Sequence, residues 1–204
     1  MGVNNLGEHV SAIPLDVLLK SELISQEESY SLIINYASRP LLTVPEVIEL
    51  DLPAKNRVDA LLNSEVLSEY KLRDLACDFA QHTLYVFEAQ SPKDHRPHEC
   101  IAIARLLHAE GIGSWEMLHE IIKETQPAMW QFQGTEHVGA YEACRAALLH
   151  DYEDAAWVAR EVAVCAQIAA HRYVWENKKS WSEPMIAREN EAIRQLRKIV
   201  EVLT

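Results

Sequence analysis

The residues whose types could do chemistry lie together in one segment of the chain, from Asp94 to Arg105. Its candidate binding residues are Asp94, His95, Arg96, His98 and Arg105. These side chains supply a carboxylate, two imidazoles and two guanidinium groups, which suit polar contacts with a partner at the start of a helix. Trp181 is a further candidate, because it follows Lys178 and Lys179 in a predicted loop and could act as an exposed aromatic anchor.

A structural interpretation accounts for much of the same pattern. Proline is favoured in the first turn of a helix, and a negative charge such as Glu99 is stabilising there. We therefore expect Arg96 to be the N-cap residue and Pro97 the first helical residue. Asp94 is expected to pair with Arg96 or Arg105 and so to fix the start of the helix. We favour this structural role, and a binding role for the same residues stays open.

Metal binding would need a complete set of ligands, which the spacing does not supply. Glu116-x-x-His119 is a motif that helical di-iron proteins use twice, but here it occurs once. His95 and His98 would not share a helical face, because the chain before Pro97 is expected to be extended. We therefore predict no metal site and no cofactor. The alternative, a metal-binding helical-bundle enzyme, would use His95, His98, Glu99, His108, Glu116 and His119.

The sequence also lacks the motifs of nucleophilic catalysis and phosphate binding. It contains no G-x-S-x-G, no cysteine-centred family signature and no glycine-rich phosphate loop. We therefore predict no catalytic residue and no enzymatic activity.

The cysteines favour a reducing compartment. All four lie in predicted helices and none forms a C-x-x-C pair; they are Cys77, Cys100, Cys144 and Cys165. Buried free thiols are their expected state, which suits the cytoplasm. Residues 1–10 have no basic start and no apolar run, so we expect no signal peptide. No apolar stretch reaches about 18 residues, so we also expect no membrane span.

The spacing of apolar residues predicts helices along most of the chain. Apolar positions recur at helical intervals from Leu72 to Phe87, and comparable faces follow in the later segments. No alternating strand pattern stands out. We predict an all-α fold, an antiparallel multi-helix bundle, with residues 1–204 as a single helical domain. Residues 1–63 would form an N-terminal helical extension, and residues 64–204 the main bundle.

Single residues mark the expected ends of several helices. Pro14 is predicted to open a short helix, and Ser25 to begin a capping box. Gly111 is well placed as a C-terminal cap, because glycine adopts the left-handed conformation at little cost. Ser114 is predicted to cap the next helix, which Pro127 would kink or divide.

Alanine recurs at helical spacing in the C-terminal half. One set is Ala155, Ala159, Ala163, Ala166 and Ala170, and an earlier set is Ala140, Ala143 and Ala147. Small side chains on one face let two helices approach at the short end of the usual ~8–10 Å range. We therefore predict an Ala-rich, tightly packed C-terminal half. The tryptophans lie in the same half, and we expect core positions for Trp115, Trp130, Trp157 and Trp175.

The charge balance narrows the class of partner. The chain has 19 lysines and arginines against 31 aspartates and glutamates, a formal net charge of −12. This excess argues against nucleic acid as a partner, because phosphate binding needs a basic surface. It suits solubility, and it is also compatible with an acidic patch that contacts a basic protein.

Several short motifs follow one another in a characteristic order within residues 66–204. They run from Leu75 to His82, from Phe87 to Glu88, from Asp94 to Pro97, from Ala102 to Arg105 and from Arg188 to Glu191. With the Ala-rich helices before the last of them, they resemble a family of immunity proteins from bacterial polymorphic toxin systems. The resemblance implies a helical protein that neutralises a cognate protein toxin by binding it, and it carries over no catalytic residue.

The function that we predict from the sequence is therefore non-catalytic immunity against a toxin, for which a basic toxin would suit the negative charge. The first alternative is a helical scaffold or regulatory protein that acts by self-association as a homodimer. Its relevant feature is the heptad-like apolar face from Ile186 to Leu203.

Overall fold

The computed structural model describes residues 13–14, 41–178 and 182–203. Within these ranges the α-helices span Val44–Glu49 (α1), Ala54–Leu61 (α2), Glu69–Glu88 (α3), Arg96–Arg105 (α4), Trp115–Trp130 (α5), Val138–Leu148 (α6), Ala155–Lys178 (α7) and Glu183–Leu203 (α8). A π-helical turn, Leu106–Glu110, continues α4, and a 3-10 turn, Leu149–Asp151, continues α6. The helices pack against one another, so the chain is an all-α multi-helix bundle, as the apolar spacing predicts.

One short strand pair accompanies the helices (β1, Ile13–Pro14; β2, Leu41–Leu42). The two strands are antiparallel, with Ile13 opposite Leu42. The prediction that Pro14 opens a helix is therefore wrong. The fixed φ of proline suits extended backbone as well as the first turn of a helix, so proline alone does not distinguish them. The predicted capping box at Ser25 lies outside the described residues.

Short polar side chains cap several helices at their N-termini. In α1, the Thr43 backbone N–H donates to the Glu46 carboxylate at 2.8 Å, and the Glu46 N–H donates to the Thr43 hydroxyl at 3.4 Å. Ser68 caps α3 and Ser114 caps α5, each accepting a hydrogen bond from the backbone N–H three residues later. These caps satisfy amides that have no partner within the helix, which is why each helix begins there.

Helix α4 begins one residue earlier than its sequence predicts. His95, rather than Arg96, is the N-cap residue, so Pro97 is the second helical residue. Proline fits either position, because neither N–H has an acceptor within the helix. At the other end, Gly111 has a φ of 62° and closes the π-helical turn, which confirms its prediction as a cap.

Pro127 lies inside α5 and does not divide it, since the helix continues to Trp130. Buried side chains face the core on both sides of the proline, among them Ile122, Thr125 and Ala128. Tertiary packing therefore holds a turn from which proline has removed one backbone hydrogen bond.

Helix α7 packs against three others, α3, α6 and α8. Every alanine of the two predicted sets is buried, which confirms the tightly packed C-terminal half. Gly139 in α6 shows how close the approach is. A Cβ atom added there would lie 3.1 Å from Val86 Cγ1 and 3.2 Å from the backbone nitrogen of Tyr173.

The apolar face of α8 is directed mainly into the bundle. Leu196 and Ile199 are buried, and Val202 and Leu203 pack against the core. Met185 and Ile186, in the first turn, remain exposed. Most of the apolar face that would mediate self-association is therefore buried against other helices of the same chain.

A polar cluster joins α8 to α7 and α3. Gln195 Nε2 donates to the backbone carbonyl of Ala163 at 3.1 Å, and Gln167 Nε2 donates to the side-chain oxygen Gln195 Oε1 at 2.8 Å. Glu191 Oε2 lies 2.9 Å from Nδ1 of His82, which belongs to α3. Burial raises the pKa of the Glu191 carboxyl. Hydrogen bonds with His82 and with Arg194, which lies on α8 like Glu191, lower it by more, so the pKa lies below its usual range.

The apolar core runs through the described chain without interruption from Leu42 to Ile199. Side chains of α1 and α2, such as Val47 and Val58, belong to the same cluster as those of α3 and α7. The division into an extension of residues 1–63 and a bundle of residues 64–204 stays a prediction.

Candidate binding surface

The predicted pairing of Asp94 with Arg96 is present. Arg96 Nε donates to Asp94 Oδ1 at 2.8 Å, and Arg96 Nη2 donates to Asp94 Oδ2 at 2.6 Å. Because these hydrogen bonds favour the ionised carboxylate, they hold the pKa of Asp94 below its usual range. Arg96 Nη1 also donates to the Glu124 carbonyl at 2.8 Å. The guanidinium therefore ties the start of α4 to helix α5.

His98 and Arg105 tie α4 to α3. His98 Nε2 lies 2.6 Å from Glu88 Oε1, and its Nδ1 lies 3.1 Å from Gln81 Nε2. Arg105 Nη2 donates to Asp78 Oδ1 at 2.6 Å. Arg105 thus pairs with α3 rather than with Asp94. Together with the Asp94–Arg96 pair, these contacts support the structural interpretation of the segment from Asp94 to Arg105, and a binding role for it stays a prediction.

Two further residues, His95 and Trp181, were also predicted to bind a partner. His95 is exposed at the N-cap position of α4. Trp181 lies outside the described residues, so its predicted exposure stays untested.

The alternative metal ligands are not brought together. Among residues 13–14, 41–178 and 182–203, no group of three or more histidine, cysteine, aspartate or glutamate side chains could hold a metal ion. The His108 ring packs against Trp115, with 5.2 Å between ring centroids. His119 Nδ1 lies 3.7 Å from Asp151 Oδ2 at the surface.

Cys77 and His150 form a buried contact that resembles a nucleophilic pair in composition. Cys77 Sγ lies 4.0 Å from His150 Nδ1. Burial raises the pKa of the Cys77 thiol to about 12 and lowers the pKa of the His150 imidazole to about 3. Both groups are therefore neutral near pH 7, whereas a cysteine nucleophile must be a thiolate. Cys77 and His150 are therefore packed core residues. All four cysteines of the chain are free and buried, as predicted.

A different part of the molecule combines an exposed aromatic side chain with carboxylates. Two depressions of the surface share Trp115, at the first turn of α5. One, of about 400 Å³, is lined by Glu69, Arg73, Trp115, Asp151 and Glu153. The other, of about 390 Å³, is lined by Trp115, Glu116, His119 and Glu120. We call these eight residues the Trp115 surface.

Arg73 fixes the centre of the Trp115 surface from beneath. Its side chain is buried, and its Cζ lies 5.4 Å from the centroid of the Trp115 ring. Arg73 Nη1 donates to the Tyr152 carbonyl at 3.1 Å and Nη2 donates to the Glu153 carbonyl at 2.7 Å. Its Nε donates to Glu69 Oε1 at 3.0 Å. One guanidinium thus connects α3, α5 and the chain before α7.

His108 supports Trp115 from the π-helical turn. The wider turn, which Gly111 closes, precedes the short segment that leads into α5. Burial, and then the nearby charge of Arg73, lower the pKa of His108 to about 4, so its ring is neutral near pH 7. Single π-helical turns are frequent at functional sites, because they place a side chain where a regular helix would not.

The Trp115 surface is acidic. Its described residues include five carboxylates and one guanidinium, and Arg73 is already bonded to Glu69. A hydrogen bond from Ser114 lowers the pKa of Glu116, which keeps that carboxyl ionised near pH 7. The surface therefore combines an aromatic centre with a negative margin.

Several other large apolar side chains are exposed, some of them close to Trp115 in the sequence. Trp115 itself is 44% exposed, and about half of each of Ile112, Met117 and Tyr152 is exposed. Trp130, at the opposite end of α5, is 53% exposed. The prediction of core positions is therefore wrong for Trp115 and Trp130, because helical periodicity does not reveal where the neighbouring helices end.

A local signal could have identified the Trp115 surface from the sequence. Ile112 lies between two glycines with positive φ, Gly111 at 62° and Gly113 at 104°, and Ser114 then caps α5. Because glycine-rich turns run over the surface, exposure of Ile112 could have been expected, and Trp115 is the next large side chain in the chain.

Comparisons with protein-family models, with curated proteins and with solved structures find no match to this chain. Among the helices of the described ranges, none combines the length and the apolar character that are needed to cross a membrane.

Proposed function

We propose that this protein is a non-catalytic immunity protein, which binds a cognate bacterial toxin in the cytoplasm and neutralises it. The observation that carries the proposal is the combination of exposed aromatic and carboxylate side chains in the Trp115 surface. Aromatic side chains at the centre of a polar margin are typical of protein-binding surfaces. The order of motifs that resembles immunity proteins supports the toxin as the class of partner.

The charge of the molecule favours a basic toxin. A formal net charge of −12 attracts a cationic partner and repels an anionic one, which accelerates association at low ionic strength. The four buried free thiols suit a reducing compartment, which supports the cytoplasm as the place of action.

Co-expression with the product of the adjacent gene tests the proposal. We expect the protein to restore the growth of cells that express this product, and to co-purify with it in a complex that weakens as salt is added. An unrelated acidic protein of similar size and charge is the control, because it separates recognition from simple attraction. Failure to bind any neighbouring gene product at low salt would contradict the proposal.

A further inference from the structure

We propose that the Trp115 surface is the docking site for a cationic protein segment, with one lysine or arginine side chain in the depression between Glu69, Asp151 and Glu153. The inference rests on the proposed function, because it names the chemistry that a partner would present to this site. It commits to a basic peptide segment as the occupant.

The geometry provides a cavity with acceptors around its margin. The depression has a volume of about 400 Å³ and opens to solvent beside Trp115. Its carboxylates come from different elements, with Glu69 on α3, Asp151 in the 3-10 turn and Glu153 before α7. A guanidinium or ammonium group that enters would meet carboxylate oxygens from more than one direction, which suits its several N–H donors.

Trp115 adds an aromatic contact that favours the same class of ligand. The negative face of an indole ring attracts cations, and it also packs against the aliphatic part of a lysine or arginine side chain. Arg73 already lies near this ring, at 5.4 Å from its centroid, which illustrates the same contact within the chain. Almost half of Trp115 remains exposed for a second contact.

The surface is fixed before a partner arrives. Trp115 lies against the buried Arg73 and the half-buried His108, and Arg73 is held by the carbonyls of Tyr152 and Glu153. Because these side chains lose little conformational freedom on binding, more of the contact energy appears as affinity.

Charge complementarity excludes the other kinds of occupant. A nucleic acid would bring phosphates against Glu116, Glu120 and Glu153, and a second copy of this face would bring the same carboxylates. A cationic segment is the occupant that gains from both the carboxylates and the ring. Glu120 and Glu153 are exposed, so they are available to such a segment.

The test uses the purified full-length chain and a defined probe, the peptide hexa-arginine amide, with hexa-glutamate as the opposite charge. Isotope labelling allows the indole N–H signal of Trp115 to be followed by NMR, and Trp115→Phe assigns it. Hexa-arginine should shift this signal in a saturable way, and hexa-glutamate should not. Trp115→Ala should weaken the binding about tenfold or more, as expected for a central aromatic contact.

Matched variants separate a site from general attraction. Glu120→Gln with Glu153→Gln removes two exposed carboxylates of the Trp115 surface, and Asp51→Asn with Glu65→Gln removes two exposed carboxylates elsewhere. The first pair should weaken hexa-arginine binding roughly five- to twentyfold and the second less than about twofold, since exposed charges act mainly on near neighbours. Trp130→Ala is the matched control for loss of an exposed indole.

Each outcome decides the inference. Equal losses from both carboxylate pairs, or an unmoved Trp115 signal, would overturn it. A toxin complex that is insensitive to Trp115→Ala would also overturn it and would leave the proposed function intact. Saturable hexa-arginine binding at Trp115 without a complex with any neighbouring gene product would support the docking site and contradict the immunity function.

Discussion

At the scale of residues, several polar side chains of α3 and α4 bind one another. Asp78 contacts Arg105, and Glu88 contacts His98, each at 2.6 Å. Three of these residues, Asp78, Glu88 and Arg105, lie within the short motifs of the sequence, and His98 directly follows the motif that ends at Pro97. A motif of this kind can therefore preserve a way of joining two helices without marking the surface that a partner contacts.

Arg96→Ala is expected to lower the stability of the protein more than its affinity for a partner. The variant removes the bidentate pair with Asp94 and the hydrogen bond to the Glu124 carbonyl. The side chain is partly exposed, so the cost should be modest, about 1–2 kcal/mol. Urea unfolding measures the stability, and titration with the partner measures the affinity.

Arg96→Lys is the informative control for that variant, because it retains the charge and loses the planar pair of donors. It should recover less than half of the lost stability. A larger loss of affinity than of stability in Arg96→Ala would instead identify the segment from Asp94 to Arg105 as a binding site.

The buried His150 should make the protein less stable as the pH falls. Burial lowers its pKa from 6.5 to about 3, with smaller contributions from His108, Arg73 and Arg105. The unfolded chain therefore binds a proton below about pH 6.5 that the folded chain does not bind until about pH 3. The stability that this imidazole contributes is present above pH 6.5 and is lost progressively as the pH falls towards 3.

His150→Leu tests this contribution, because leucine does not titrate. Between pH 6.5 and 5 the slope of unfolding free energy against pH should become shallower by up to about 1.4 kcal/mol per pH unit, the effect of one proton. Identical slopes in the wild type and His150→Leu would contradict the assignment.

At the scale of elements, the spacing between helices depends on small residues at their crossings. Gly139 brings α6 close to Val86 of α3 and to the backbone of α7 at Tyr173 and Ala169. Its N–H also donates to Glu176 Oε1 at 3.0 Å. The alanines of α7 serve the same purpose over a longer face.

Gly139→Ala should destabilise the protein by about 1–3 kcal/mol through overpacking. The added Cβ would lie 3.2–3.3 Å from backbone atoms of Tyr173 and Ala169, which can move only with α7. Helix propensity alone predicts the opposite sign, a gain of about 1 kcal/mol. The midpoint of chemical unfolding, compared with that of Asn190→Ala at an exposed site of α8, distinguishes the two. A stabilised Gly139→Ala variant would mean that α6 and α7 are less tightly packed.

At the scale of the whole molecule, we expect that α8 does not join two copies of the chain. Helix α8 buries Leu196 and Ile199 within the bundle, which leaves Met185 and Ile186 as its exposed apolar residues. So small a patch is unlike the area that stable dimers bury. Size-exclusion chromatography with light scattering gives the mass directly. A dimer that Ile186→Asp dissociates would revive the alternative of a self-associating scaffold.

The sequence by itself determined the properties that are local or additive. Apolar periodicity identified the helices from Leu72 onward, and Ser114 and Gly111 marked their ends, because each of these signals acts within one or two turns. The net charge of −12 is a sum over residues, so no structure was needed for it. Burial of the cysteines followed from their positions on apolar faces.

Only the tertiary structure decided which side chains meet across the chain. Arg105 pairs with Asp78 rather than Asp94, and Trp115 is exposed although its helix is amphipathic. The carboxylates around Trp115 come from α3, α5 and the segment before α7, which no local pattern connects. Their proximity depends on how the helices pack and where each one ends, and both are set by the sum of contacts between distant segments.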